Sequence, residues 1–263
     1  MNHSKASTVA SPSLATTPLP VNANALTRER DGQWLLIAGG VLLGTIGVFV
    51  EEAGQHPLVT VWFRCAFGAL ALLAWCLATG RGQQLFLHGR ARWVACATGV
   101  LMVLNWALFF AAIPRTSIAV ATVIFHIQPI WVIVFGALFL REAVSPTQWL
   151  ATLAALGGLV LTTGLLDGTA GVAAASSTGG GSYVAGVLMC LGGSLCYAGV
   201  TLLANTQKTI SPFAMALWQC LVGAVALVWA PFVLGWPQQG AAWGWLLGLG
   251  VLHTGLAYVV LFA

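Results

Sequence analysis

Charge is what this sequence has least of: only 6% of its 263 residues are Asp, Glu, Lys or Arg. A water-soluble domain carries about a quarter, so this chain has too few charges to cover a water-facing surface. The formal net charge of +4 is scattered over short loops. No basic face is formed, and no nucleic-acid partner is expected. The six cysteines (Cys65, Cys76, Cys96, Cys190, Cys196 and Cys220) form no C-x-x-C pair and all lie in apolar runs. That leaves them as small core residues rather than a disulfide framework or a zinc site. H-E-x-x-H, G-x-S-x-G and the Walker A pattern are all missing, so the sequence carries no signature of a zinc protease, serine hydrolase or P-loop ATPase. Ser194 follows Gly192-Gly193 but lacks a closing glycine and a base. No enzymatic activity, cofactor or metal is expected.

What fills the chain instead is apolar sequence: 59% of the residues are hydrophobic, and the mean hydropathy is +0.91. The expectation is an all-α, polytopic transmembrane bundle of about eight spans, with the lipid bilayer as its first partner. Residues 1–32, rich in Ser, Thr, Ala, Pro and Asn, lack the apolar core of a signal peptide and read as a disordered cytoplasmic tail. The expected spans are Trp34–Val50, Leu58–Thr79, Trp93–Ala112, Ile118–Leu140, Pro146–Leu166, Tyr183–Leu203, Pro212–Leu234 and Ala242–Ala263. Gly40 and Gly44, with Gly47 nearby, form a small-xxx-small pattern that would admit a neighbouring helix against the first span. Residues 167–182, ending in a Ser/Gly-rich run, form the best linker in the chain. With the N-terminus inside, Lys5, Arg28, Arg30, Arg81, Arg90, Arg92, Arg141 and Lys208 are all cytoplasmic, and Arg115 is the basic residue of an outer loop. Trp34, Trp93, Trp236 and Trp243 fall at span ends, as interface anchors do.

The sequence also echoes itself. Set from Pro57 and Pro212, PLVTVWFRCAFGALAL runs against PFAMALWQCLVGAVAL. Cys65 then meets Cys220, Gly68 meets Gly223, and Arg64 meets Gln219. Gly99 with Gly250 extends the register, and GGVLLGTIG in the first span matches AGVLMCLGG in the sixth. Five spans separate the copies, an odd number, so they cross the bilayer in opposite senses. Residues 33–166 form the first repeat and 183–263 the second. The second copy ends opposite Ala111-Ala112, so it is expected to be incomplete, lacking counterparts of spans four and five.

On these residues the chain resembles the EamA-type transporters of the drug/metabolite transporter superfamily. The resemblance is carried by Arg64 within FRCAFGALALL, by LNWALFFAAI in span three, by IAVATVIFHIQPIWVIVFGALFLRE in span four, and by the GGLVLTTG ending of span five. It implies a ten-span carrier of the bacterial inner membrane, often an exporter of amino acids, metabolites or drugs. The expected function is therefore secondary transport of a small-molecule substrate by alternating access. The competing reading is a truncated, non-transporting membrane protein that needs a partner chain. A homo-oligomer stays open.

Candidate substrate-pathway residues are the polar and ring-bearing side chains inside the spans. Lipid cannot satisfy a polar group, so each needs a protein partner or a watery cavity. In span four, His126 and Gln128 are about 200° apart around the helix. His126 shares a small, polar face with Ala119, Thr122, Pro129 and Ile133 and is expected towards the central cavity, suited to binding a proton. Gln128 is expected to bond the Phe125 carbonyl that Pro129 leaves free at a helix kink. Arg64 lies about 9 Å inside the outer end of span two. It reads either as the holder of a substrate carboxylate or outer gate, or as one half of a structural ion pair with Glu51 or Glu52. Asn105, Trp106, Gln219 and Tyr258, with His253, complete the candidate set.

Overall fold

The computed structural model describes residues 23–139, 144–162, 180–238 and 240–262. Residues 1–22, the expected span-four stop at Arg141-Glu142 and most of the expected linker lie outside the described residues.

The described elements are helical: α1 (Ala23–Gly44), α2 (Ile46–Ala53), α3 (Pro57–Ala78), α4 (Gly89–Ala112), α5 (Ile118–Phe125), α6 (Gln128–Phe139) and α7 (Pro146–Thr162) precede residues 163–179. After them come α8 (Gly180–Asn205), α9 (Pro212–Ala226), α10 (Ala230–Leu234), α11 (Gly240–Gly250), a π-helical turn (Val251–Leu256) and α12 (Ala257–Phe262). Among the described residues, six continuous helical stretches are long and apolar enough to cross a membrane: Gly32–Ala53, Pro57–Ala78, Gly89–Arg115, Ile118–Phe139, Gly180–Asn205 and Gly240–Leu261. Of the two other expected spans, span five is described as α7 as far as Thr162, and span seven appears as the pair α9–α10. Helix α1 begins at Ala23, inside the segment read from sequence as a tail.

Local chemistry sets the helix ends. Pro57 and Pro212 occupy the first turns of α3 and α9, where a missing N–H costs nothing. The residue before each caps its helix: His56 Nδ1 accepts from the Leu58 N–H (3.3 Å), and Ser211 Oγ from the Ala214 N–H (3.2 Å). Ser117 caps α5 in the same way, accepting from Val120 at 3.1 Å. Prolines also place the breaks. Pro231 offers no N–H to the Leu227 carbonyl, which instead accepts from Ala230 (2.9 Å), so span seven breaks between α9 and α10. Pro129 does the same for Phe125, and span four breaks at His126–Ile127.

The packing follows the internal repeat. α4 lies against α8 and α9, while α11 and the π-helical turn lie against α2 and α3. Span three therefore sits on spans six and seven as span eight sits on spans one and two. The two sets join where α3 crosses α9. There, a Cβ on Gly223 would meet Cys65 Sγ, and a Cβ on Gly68 would meet Cys220 Sγ at 3.4 Å. Cys65 pairs with Cys220 and Gly68 with Gly223 in the sequence register, so the contact is reciprocal. A two-fold axis between the copies requires that arrangement.

Close approach of helices falls elsewhere than the Gly40–Gly44 pattern. Neither of those glycines has an atom within 4 Å of its Cβ position, whereas Gly39 faces Leu261 and Gly47 faces Ile118. The contacts fall on Gly39 in α1 and Gly47 in α2, on either side of the break at Thr45. The outer surface is apolar, with Leu36, Leu70, Val100, Leu188 and Val225 exposed, as a lipid-facing surface requires. Trp236 and Trp243 gather with Trp62, Phe63 and Phe232 at one end of the bundle.

Candidate functional site

The side chains that could do chemistry collect around Arg64, inside the bundle. Arg64 lies two turns into α3, and its side chain is 5% exposed. Its Nε donates to Thr254 Oγ1 at 3.2 Å, on the π-helical turn of span eight. Its guanidinium carbon lies 4.3 Å from the centre of the Trp106 ring and 5.9 Å from that of Phe110, both on α4. The titratable groups that face it are the Cys65 and Cys220 thiols and the Tyr258 and Tyr197 phenols. Four helices and a π-helical turn thus build the pocket: α3 supplies the cation, α4 the aromatic floor, the π-turn a hydroxyl, and α8 and α12 the tyrosines.

The ion pair expected with Glu51 or Glu52 is not formed. Both glutamates are exposed on α2, and among the described residues no carboxylate lies within ion-pairing distance of Arg64. The reason is geometric. The glutamates sit at the end of span one, whereas Arg64 is seven residues below Pro57, about 10 Å deeper, and extends inward. An unpaired charge in hydrocarbon costs at least about 3 kcal/mol. A desolvated cation–π contact returns about 2 kcal/mol and a hydrogen bond about 1 kcal/mol more. The ring and hydroxyl hold Arg64 in place and leave most of its hydrogen-bonding fork open to an anion.

The other sequence candidates divide between the pocket and its surroundings. Trp106 is the pocket floor, and Tyr258 faces the guanidinium. Asn105, one residue before Trp106, is fully buried, and neither its amide oxygen nor its nitrogen has a hydrogen-bond partner. Gln219, the repeat counterpart of Arg64, is buried on α9. His126 lies elsewhere: it is exposed at the break in span four, with Nδ1 2.7 Å from the Thr122 carbonyl. It lines a cleft of about 310 Å³ with Pro129 and with Ala151, Thr152, Ala155 and Leu156 of α7. The face shared by His126 and Pro129 is as the periodicity gave it, but the neighbour across from it is span five, not the Arg64 pocket. Gln128 makes no hydrogen bond to Phe125; the break is closed instead by the His126 N–H to Thr122 (3.1 Å) and the Ile127 N–H to Ile124 (3.2 Å). Span four is tied to span six by Trp131 Nε1, which donates to the buried Ser194 Oγ at 3.1 Å, giving Ser194 a structural part.

Thr254, Phe110 and Tyr197 were not reached from the sequence. For Thr254 a signal existed: the repeat register sets it against Val103, a polar residue opposite an apolar one. Phe110 and Tyr197 carried no such mark among so many aromatic residues.

Residues 31–164 and again 184–263 match the EamA-like transporter family. The chain belongs to that family. The double match falls on the two halves that the internal register separates. An uncharacterized transporter of Archaeoglobus fulgidus is 29% identical to this EamA-type chain over 233 residues, covering 88% of the chain and 76% of that protein. The transporter YwfM of Bacillus subtilis is 30% identical over 220 residues, covering 82% and 69%. The pseudopaline exporter CntI of Pseudomonas aeruginosa is 27% identical over 228 residues, covering 82% and 75%. A crystal structure superposes with a TM-score of 0.67 at 18% identity, covering 88% of the chain and 77% of its own, and the likeness extends to the fold.

Proposed function

We propose that this EamA-type membrane transporter works as a secondary carrier that exports a small metabolite, amino acid or drug by alternating access. We further propose that the Arg64 pocket receives an anionic group of the cargo. The observation that carries the reading is the buried guanidinium of Arg64, stacked on Trp106, with no carboxylate of its own chain beside it among the described residues. A fixed cation in a low-dielectric pocket attracts an anion far more strongly than one in water. The aromatic surround of Trp106, Phe110, Tyr197 and Tyr258 suits an apolar or ring-bearing remainder. Two inverted copies meeting at the α3–α9 crossing provide the symmetry on which alternating access rests. A relative named as an exporter favours the outward direction. The distribution of Lys and Arg favours a cytoplasmic N-terminus, and the resemblance to the family favours the bacterial inner membrane.

The test is efflux from proteoliposomes loaded with a panel of carboxylates, amines and neutral solutes. Carboxylates should move fastest, and Arg64→Gln should lower their apparent affinity by about tenfold or more, the scale of one lost charge-assisted hydrogen-bonded contact. Equal movement of carboxylates and amines in both proteins would remove the anion from the reading.

A further inference from the structure

Span eight is not a plain α-helix. Val251–Leu256 forms a π-helical turn, and it carries two adjacent buried polar residues, His253 and Thr254. A π-turn adds a residue to the helical ring and re-aims its side chains, a distortion that is retained where it serves a site. Here it sends the two neighbours in different directions. Thr254 Oγ1 accepts from Arg64 Nε. His253 turns to span one, where its Nε2 lies 2.8 Å from Thr45 Oγ1 at the junction of α1 and α2. Its Nδ1 lies 3.3 Å from the Gly248 carbonyl, and its ring meets Phe49 edge-to-face at 4.5 Å. Thr45 Oγ1 also donates to the Leu42 carbonyl at 2.8 Å.

The Leu42 and Gly248 carbonyls can only accept. If Thr45 gives its one hydroxyl proton to Leu42, then Nε2 must donate to Thr45 and Nδ1 to Gly248. All three contacts are made together only when the imidazole carries two protons. With the ring neutral and Nδ1 protonated, Thr45 must turn its proton from Leu42 to Nε2, and the bond at the span-one break is lost. With Nε2 protonated instead, the bond to Leu42 stays and the contact to Gly248 is lost, so either neutral tautomer gives up one contact that the doubly protonated ring makes.

Resting on the carrier reading above, we propose that His253 is the site of a transported proton, loaded together with an anion at Arg64. The proton adds to the free lone pair of the imidazole and leaves from the same atom, so no other reactant is involved. Among the groups facing the imidazole, Arg64 on span two is the charged one. Span one contributes Thr45 and Phe49, its Glu51 and Glu52 being exposed at its far end, and span eight contributes Tyr258 a turn away. Two cations so placed oppose each other, and an anion on Arg64 removes that opposition. Proton and anion thus favour each other's binding, and the species carried is equivalent to the neutral acid. Export is then electroneutral and carries one proton outward with each anion, so the outward gradient of the cargo must exceed any inward pH gradient.

The experiment uses the full chain in nanodiscs with benzoate, a small aromatic carboxylate, as the probe. Benzoate added in weak buffer should cause net proton uptake approaching one proton per protein, read with a pH indicator. Its affinity should rise by about threefold or more for each unit fall in pH near neutrality, as linkage requires. His253→Gln, which keeps a polar side chain, should bind benzoate without proton uptake. Thr45→Val, which leaves the buried ring in place, should reduce the uptake. Proton release on binding, or undiminished uptake in His253→Gln, overturns the proposal. A separate measurement needs no ligand: ring-15N spectra should show His253 passing between singly and doubly protonated forms within about pH 5 to 8. A ring that stays neutral throughout overturns the proton site. A ring that titrates, responds to Arg64→Gln, but sits in a protein that does not bind benzoate supports the proton site and counts against the anionic cargo.

Discussion

Gly250 gives the sharpest test of how the bundle is held together. It ends α11 where span eight presses on span two. A Cβ built there would overlap Phe67 Cβ and stand 2.9 Å from the Gly68 backbone nitrogen. Neither of those atoms lies at the end of a flexible side chain, so Gly250→Ala must move one helix away from the other. Overpacking of this kind costs about 1–3 kcal/mol. The folded-to-unfolded ratio should then fall by about 5- to 150-fold. Separating the helices also carries Thr254, four residues on, away from Arg64, so carboxylate efflux should fall alongside stability. Gly44→Ala is the matched control: it adds the same methyl to an apolar helix but meets nothing within 4 Å. There the alanine should be neutral or stabilising, by up to about 1 kcal/mol of helix propensity. The assay is the fraction of detergent-solubilised protein that remains monodisperse after heating, followed across a temperature series. If Gly250→Ala survives as well as the parent, or if Gly44→Ala is equally damaging, the packing account of span eight is wrong.

Other changes test separate contacts. Trp106→Leu keeps an apolar side chain but removes the ring beneath Arg64. It should weaken carboxylate binding by up to about 30-fold, the equivalent of about 2 kcal/mol, while Trp106→Phe should recover part of the loss; equilibrium binding at fixed pH measures both. Ser194→Ala takes the acceptor from Trp131 Nε1 and should lower thermal stability by about 1–2 kcal/mol, with carboxylate affinity held within about twofold, because the contact ties spans four and six outside the Arg64 pocket. Pro129→Ala returns an N–H to the Phe125 carbonyl. It should straighten span four and close the cleft beside His126, read as a changed spin-label distance between spans four and five.

Composition and periodicity alone were enough to place this chain in a membrane. With so few charges the only stable surface is one facing lipid, and the apolar runs have bilayer length. The proline positions were equally legible, because a missing N–H acts locally: Pro57 and Pro212 start helices, and Pro129 and Pro231 break them. The paired register around Pro57 and Pro212 anticipated the crossing at which Cys65 meets Gly223 and Cys220 meets Gly68.

Partner choice was a different matter. Sequence spacing shows which residues share a helix face but not what stands opposite that face. Glu51 and Glu52 end span one on the side of the membrane nearer Arg64, which makes either the expected counter-charge; rotation of α3 sends the guanidinium inward instead, to a tryptophan and a threonine from spans three and eight. His126 and Pro129 share a face as their spacing requires, yet that face meets span five. The π-helical turn lies where span eight packs on spans one and two, and no local residue pattern announces it. It joins Arg64, Thr254, His253 and Thr45 into one connected set across 209 positions of sequence, from Thr45 to Thr254. The sequence by itself determined that polar groups inside these helices must find partners. Only the tertiary structure decided which, because in a bundle the partner is chosen by helix rotation and crossing, which are properties of neighbours rather than of any one segment.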